Sequence, residues 1–258
     1  MSMWTKYKIE DNKTYSGQTG KCSFQLTKQG KTWFIRHENV STKKLTSPAA
    51  GKSVLPGEEW EYYVGDKTGS LLLLPALPDK PVIVKPANTF RILPGKSIDI
   101  YLTIPLWIQF YNGTAKSENL ICEIPETEPS STWFGDPDNG LMGYAYRGPI
   151  ELSAKPEKTD PWLILCPVKI RNESAAALDF ERMCLHCEQL DLYLLNERLF
   201  ANEFRIRFKG VEQVGEVHIT PGSPSLAEGA RQIAQARTRP DKSLIKRSFY
   251  FIKSISQY

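Results

Sequence analysis

Cys184 and Cys187 are the residues whose type and spacing first suggest chemistry. A Cys-x-x-Cys pair can take part in thiol–disulfide exchange or supply half of a zinc site. The flanking apolar alternation is typical of a strand, and residues three apart in a strand point to opposite faces of the sheet. We therefore predict that both cysteines pack in the core. A metal site with Cys166 or His218 and a redox role are the alternatives.

A second segment, residues 133–140, is similar to a calcium loop because it contains Asp-Pro-Asp-Asn-Gly. An EF-hand loop that starts at Asp136 needs glycine at its sixth position and glutamate at its twelfth, and this chain has Leu141 and Arg147 there. The Asn-Gly pair tolerates positive φ and is a strong turn signal. We predict a structural turn here and no calcium site.

The common catalytic signatures are missing from the sequence. It has no Gly-x-Ser-x-Gly elbow, no Gly-Lys-Ser loop with the glycine spacing of a phosphate-binding loop, and no His-Glu-x-x-His motif. Carboxylates are plentiful in the middle of the chain, but the sequence does not show which of them face each other. We expect no catalytic residue, no cofactor and no metal. A hydrolase with an acidic cleft remains an alternative.

The net charge of +4 is unevenly distributed along the chain. Residues 1–58 hold ten basic and four acidic residues, residues 59–230 hold sixteen and twenty-four, and residues 231–258 hold seven and one. The three segments therefore have net charges of +6, −8 and +6. An anionic partner is expected to bind the termini and not the central part of the chain.

The C-terminal segment, residues 241–258, is the main candidate for binding a partner. If residues 241–255 form a helix, apolar side chains cover one broad face and lysines the opposite face, as in helices that lie at a membrane interface. The segment predicts docking on an anionic membrane surface or on a membrane protein. The alternative is that its apolar face packs on the acidic body of the protein itself. The candidate partner-binding residues are Leu244, Ile245, Lys246, Arg247, Phe249, Phe251, Ile252 and Lys253.

The basic N-terminal part of the chain suggests single-stranded nucleic acid as an alternative partner. Phe24, Trp33 and Phe34 alternate there with lysine and arginine residues. Proteins that bind single strands combine a basic surface with aromatic rings that stack on the bases. The competing interpretation is that these rings fill the core and the charged residues form a solvated face. We consider nucleic acid the less favoured partner.

The elements that must position these residues are predicted to be strands. Eighteen prolines and 17 glycines among 258 residues divide the chain into short elements, and apolar residues occupy every second position of residues 98–110. Thirteen residues exceed an ordinary strand, so Pro105 should mark a bulge, an edge or a bend between sheets. The same alternation predicts that Phe204, Ile206 and Phe208 point inward.

Turn signals extend this strand pattern into a domain organisation. We predict hairpins of residues 22–27 with 32–36 and of residues 60–64 with 71–74, with a long polar loop at 39–59. The fold class is mainly β, with two antiparallel, immunoglobulin-like sandwich domains, extra N-terminal hairpins and a short helical tail. The predicted domains are residues 1–155 and 161–222, followed by a linker and basic tail at 223–258.

The linker is expected to lead into a helix. Ser225 and Glu228 have the spacing of a capping box, in which each side chain satisfies a backbone donor of the other residue. The predicted helix runs to about Arg237 and stops before Pro240.

The cellular compartment is inferred from the N-terminus and the cysteines. The first thirteen residues have no apolar run with a cleavage site, and the longest uncharged stretch is too short and too polar to span a membrane. Five cysteines are an odd number, and a chain of this length does not need disulfide bonds. We expect a cytoplasmic protein.

Two stretches carry a resemblance to a known family. One runs from Trp133 to Arg147, and the other from Cys166-Pro-Val-Lys-Ile-Arg-Asn through Asp-Phe-Glu-Arg to Leu190-Asp-Leu-Tyr. They resemble the prokaryotic family catalogued as domain of unknown function 432, over residues 75–222 and the basic tail. The resemblance implies no activity and no site residues. Its association with genes for small mechanosensitive channels implies an accessory protein at a membrane.

Overall fold

The computed structural model describes residues 2–66, 69–135, 137–138, 140–210 and 216–238. Strands dominate this part of the chain, and its helical elements are four single 3-10 turns. The prediction of a mainly β protein is confirmed. Within the same residues, no helix has the length and apolar content needed to cross a membrane.

Ten strands and one 3-10 turn lie in the described part of the first 128 residues. They are β1 (Lys6–Lys8), β2 (Thr14–Gln29), β3 (Thr32–Ala50), β4 (Glu61–Val64), β5 (Ser70–Ala76), β6 (Val82–Val84), β7 (Phe90–Ile92), β8 (Ser97–Pro105), β9 (Trp107–Asn112), η1 (Ser117–Asn119) and β10 (Leu120–Pro125).

Eleven strands and three 3-10 turns follow in the remaining described residues. They are β11 (Ser131–Phe134), β12 (Leu141–Tyr146), β13 (Ile150–Glu151), η2 (Pro156–Lys158), β14 (Leu163–Asn172), β15 (Leu178–Phe180), β16 (Met183–Leu185), η3 (Cys187–Gln189), β17 (Leu192–Leu195), β18 (Arg198–Ala201), β19 (Phe204–Phe208), β20 (Glu216–Ile219), η4 (Ser225–Ala227) and β21 (Arg231–Ala234).

Two compact units alternate along the chain. Unit 1 consists of Met1–Ala76 and Pro105–Glu128, and unit 2 consists of Leu77–Ile104 and the chain from Pro129 onwards. The boundary predicted between residues 155 and 161 lies inside unit 2.

Unit 1 has two sheets, with strand orders β1-β5-β9-β10 and β2-β3-β4. The predicted hairpin around Gly30 is confirmed, since β2 and β3 pair on either side of it and Gly30 has a φ of 61°. Both strands are longer than predicted. The expected polar loop at 39–59 is wrong as far as Ala50, because backbone pairing with β2 keeps these mostly exposed residues extended.

The second predicted hairpin of unit 1 is also wrong. β4 pairs with β3, whereas β5 pairs with β1 and β9, so β4 and β5 lie in different sheets. The apolar side chains of β5 explain its place: Leu71 and Leu73 are completely buried, as expected for a strand inside a four-stranded sheet.

The long apolar alternation of residues 98–110 is confirmed, and so is the break at Pro105. β8 ends at Pro105 in a sheet of unit 2, and β9 begins at Trp107 in a sheet of unit 1. The even-numbered side chains from Ile100 to Phe110 are at most 1% exposed. One continuous pattern therefore supplies core residues to both units.

The described residues of unit 2 form three sheets, and two of them contain parallel pairs. The largest has the order β13-β8-β14-β18-β17-β21, with β19 pairing with β14 and β20. β14 is parallel to both β18 and β19, and β12 is parallel to β6 in the sheet β11-β12-β6-β16. β7 and β15 form a separate antiparallel ribbon. The inward Phe204, Ile206 and Phe208 of β19 are buried, as predicted.

The helix predicted from Ser225 to Arg237 is wrong. The segment contains one 3-10 turn, η4, without a side-chain capping bond, and then β21, which pairs with β17. Backbone hydrogen bonds to the edge of an existing sheet thus outweigh a local capping signal. The predicted tail helix at 241–255 lies outside the described residues.

Candidate functional site

A groove of about 610 Å³ lies in unit 1 between two edge strands. One wall is formed by β4 and the residues that follow it, and the other wall by η1 and the start of β10. Each of these strands pairs with a neighbour on one side only. The groove is lined by Trp33, Tyr62, Tyr63, Val64, Gly65, Asp66, Asn112, Glu118, Asn119, Leu120 and Ile121.

The floor of the groove contains an unused hydrogen-bond donor. Trp33 is fully buried, and its Nε1 has no hydrogen-bond partner among the described residues. A Cβ on Gly65 would lie 3.7 Å from Trp33 Cδ1, the carbon bonded to Nε1, and 2.8 Å from Asn112 Nδ2. Asn112 therefore fills the space beside Gly65, and the indole ring is not exposed to the groove there.

Aromatic and aliphatic side chains of β4 form one wall. Tyr62 is 73% exposed and Val64 is 78% exposed, which is unusual for large apolar groups on a folded domain. Tyr63 is half-buried, and its hydroxyl donates a hydrogen bond to the Glu61 carboxylate and contacts Cys122 of β10. Burial raises the pKa of Tyr63 and raises that of Cys122 to about 12, so both groups stay neutral near pH 7.

The rim of the groove is acidic. Asp66 and Glu118 both line it, and no lysine or arginine does so among the described residues. Glu118 is solvent-exposed, and the Lys116 ammonium lies 3.9 Å from its carboxylate, a distance at which an exposed pair contributes little. Exposed aromatic rings beside carboxylates favour a cationic ligand.

The outer edge of β4 offers backbone groups for pairing. Gly65 donates its N–H to Lys31 O, and the register pairs Tyr63 with Trp33. In an antiparallel pair, alternate residues direct their N–H and C=O groups towards the partner strand. The backbone groups of Tyr62 and Val64 therefore point away from β3, along the free edge.

A second cluster with chemistry-bearing side chains lies in the core of unit 2. Cys184 Sγ is 3.8 Å from His186 Nε2, and His186 Nδ1 is 2.7 Å from Glu188 Oε1. Cys166 lies close enough to Cys187 to help raise the pKa of that thiol, although burial is the larger cause. Activated cysteine nucleophiles have the same order of groups, in which a thiol contacts an imidazole and the imidazole contacts a carboxylate.

Burial removes the reactivity that this order suggests. Cys184 and Cys187 are completely buried, and desolvation raises the pKa of both thiols, so the thiolate is disfavoured. All five cysteines are free. Within the described residues, no three His, Cys, Asp or Glu side chains are arranged to hold a metal ion.

The local structure around the two cysteines differs from the prediction. The strand β16 ends at Leu185, and Cys187 begins the 3-10 turn η3. The two side chains are therefore not on opposite faces of one strand, and every residue from Met183 to Cys187 is buried. The prediction that both cysteines pack in the core agrees with this burial, although its geometric premise was wrong.

The other candidate residues are dispersed. Phe24 and Trp33 are buried, so neither ring can stack on a nucleic-acid base, and Phe34 is half-buried. His218 lies in β20, opposite Arg205 of β19. The predicted turn at 135–140 joins β11 to β12, whose ends pair Phe134 with Leu141.

The predicted partner-binding residues lie outside the described part of the chain. These are Leu244, Ile245, Lys246, Arg247, Phe249, Phe251, Ile252 and Lys253.

The residues just before them are firmly attached to unit 2. Asp191 accepts a hydrogen bond from Ala236 N at 2.8 Å. Arg237 donates two hydrogen bonds to Leu77 O, at 2.9 and 2.7 Å, and Thr238 N donates to Glu188 O at 3.0 Å. Together with the pairing of β21 with β17, these bonds hold the chain in place up to residue 238.

Sequence reasoning missed the groove of unit 1. The available signal was the run Glu-Tyr-Tyr-Val-Gly-Asp at residues 61–66, which places exposed aromatic and acidic residues on a short strand. The opposite wall comes from residues 118–121, and nothing local in the sequence relates the two segments.

One of three comparisons with known proteins gave a match. A family model described as "Protein of unknown function (DUF432)" matches residues 3–253, nearly the whole chain. No curated protein and no solved structure matches it.

Proposed function

The chain belongs to the DUF432 family of proteins of unknown function, and we propose that it is a binding module that docks on an anionic membrane surface through its basic C-terminal segment. The observation that carries this proposal is the attachment of residues 231–238 to unit 2. The basic segment follows directly in the sequence after these attached residues.

The composition of the segment fits an anionic surface. Residues 239–258 contain five basic residues and one acidic residue, together with Phe249, Phe251 and Ile252. Each lysine or arginine near an anionic bilayer contributes roughly 1 kcal/mol, and buried aromatic and aliphatic groups add to this. Several kcal/mol of affinity at low salt is the expected result. A membrane-protein partner, such as the mechanosensitive channel implied by the family resemblance, is the alternative target.

Truncation after Arg239 tests the proposal. The truncated chain keeps β21 and the bonds of Arg237 and Thr238, so it should melt at the same temperature as the full chain. It should lose flotation with vesicles of phosphatidylcholine and phosphatidylserine. A lower melting temperature, with no flotation of the intact protein, would show that the segment packs on the protein itself and would refute the proposal.

A charge-reversal pair provides the matched control. Lys246→Glu with Arg247→Glu should abolish flotation, because the tail loses its net positive charge. The same change at Lys43 and Lys44, two exposed neighbours in β3, should leave flotation within twofold of the wild type. An equal loss of flotation in both variants would indicate that vesicle binding depends on the net charge of the protein and not on the C-terminal segment.

Several other inferences from the sequence remain predictions. They are the cytoplasmic location, the immunoglobulin-like sandwich arrangement, single-stranded nucleic acid as a partner and a hydrolytic activity. The burial of Phe24 and Trp33 leaves the nucleic-acid hypothesis without two of the three stacking rings on which it depended.

A further inference from the structure

We propose that the groove of unit 1 binds an extended polypeptide segment that carries a lysine or arginine side chain. This inference is independent of the C-terminal segment and rests on two features of the groove: a free strand edge and an acidic aromatic rim.

The free strand edge supplies the main-chain contacts. The N–H and C=O groups of Tyr62 and Val64 point away from β3, and neither residue has another backbone partner among the described residues. An extended peptide can add to such an edge as a further strand, with affinity from main-chain hydrogen bonds and specificity from alternate side chains. The groove beside β4 provides the space for this strand.

The rim selects a cationic side chain. Tyr62 presents most of its surface to solvent, and Asp66 and Glu118 are the charged residues of the lining. A lysine ammonium or arginine guanidinium placed here gains a ring face and charge-assisted hydrogen bonds. An acidic peptide would meet like charge at the same positions, so charge complementarity decides between the two.

The test uses the full chain and two synthetic nonapeptides of alternating valine and charged residues, one with lysine and one with glutamate. Isothermal titration calorimetry should show binding of the lysine peptide and at least tenfold weaker binding of the glutamate peptide. Lysine amide alone should bind far more weakly than the lysine peptide. The inference is overturned if the lysine peptide shows no binding at 1 mM, or if lysine amide binds equally well.

Two variants separate the strand edge from the rim. Val64→Pro removes an N–H on the free edge and leaves the bonds to β3 intact, so binding should weaken about fivefold while Val64→Thr binds normally. Asp66→Asn should weaken binding about tenfold, and Glu58→Gln, at an exposed carboxylate outside the groove, should not. All four variants should melt close to the wild type. Wild-type affinity in Val64→Pro or Asp66→Asn would contradict the inference.

Discussion

Replacement of Asn202 by alanine should cost about 3 kcal/mol of unfolding free energy. Asn202 is buried, and its Oδ1 accepts the Asp191 N–H at 2.6 Å. Its Nδ2 lies 3.3 Å from Tyr193 Oη, 3.2 Å from Thr220 O and 2.9 Å from Gly222 O. Nδ2 has two hydrogens, so the side chain forms about three full bonds. Each contributes about 1 kcal/mol net.

Urea unfolding at pH 7, followed by tryptophan fluorescence, measures this cost. Asn39→Ala, at an exposed position of β3, is the control and should change stability by less than about 0.5 kcal/mol. A loss below about 1 kcal/mol for Asn202→Ala would refute the assigned hydrogen bonds.

Asn202→Asp adds a test of direction. The new carboxylate would face the carbonyl oxygens of Thr220 and Gly222, which raises its pKa in the folded state. A raised carboxyl pKa means that the folded state binds a proton more tightly than the unfolded state. The stability of Asn202→Asp relative to the wild type should therefore be greater at pH 4 than at pH 7. A variant that is relatively less stable at pH 4 would contradict the geometry.

Three further predictions concern backbone strain and the cysteines. Gly20→Ala should lower the free energy of unfolding, measured by calorimetry, by about 2–4 kcal/mol, because Gly20 has a φ of 60° and a Cβ there would collide with the Glu126 carboxylate. Gly30 has a φ of 61° and open space around it, so Gly30→Ala should lower the free energy of unfolding by only about 1 kcal/mol. Cys184→Ser with Cys187→Ser should lower the melting temperature, because hydroxyl groups replace buried thiols, without releasing metal; an equivalent of zinc lost from the double variant would contradict this. Labelling of the native cysteines with an aromatic disulfide at pH 8 should be much slower than in guanidinium and should accelerate as the pH rises, because burial raises the pKa of the thiols; one fast native thiol would contradict it.

The sequence was sufficient to predict the strands where a local pattern of apolar residues repeats. Residues 98–110 alternate so regularly that both the strand and its break at Pro105 could be predicted. The pairing partner of each strand could not be predicted in the same way. β4 and β5 are neighbours in the chain, but β4 pairs with β3, whereas β5 pairs with β1 and β9. The extension of β3 to Ala50 rests on backbone bonds to β2, which leave no signature in side-chain polarity.

The candidate sites also combine features that could be predicted from local sequence with features that could not. The burial of Cys184 and Cys187 was predictable from their apolar surroundings, whereas the end of the strand at Leu185 was not. The groove of unit 1 depends on segments more than 50 residues apart, from Tyr62 on one wall to Ile121 on the other. The capping box at Ser225 predicted a helix that is not present, and the chain instead pairs β21 with β17.

The alternation of the two units along the chain restricts how the protein is made and divided. Unit 1 lacks β9 until residue 112 and β10 until residue 125 have been synthesised. Unit 2 opens with β6, whose sheet partners β12 and β16 come at least 57 residues later. Strands that are synthesised early therefore remain unpaired until their partner strands have also been synthesised. This delay slows folding and leaves the edges of the unpaired strands exposed to chaperones and proteases. No single cut yields an intact unit. Expression of either one alone requires joining the chain across the segment removed, from Ala76 to Pro105 or from Ile104 to Pro129.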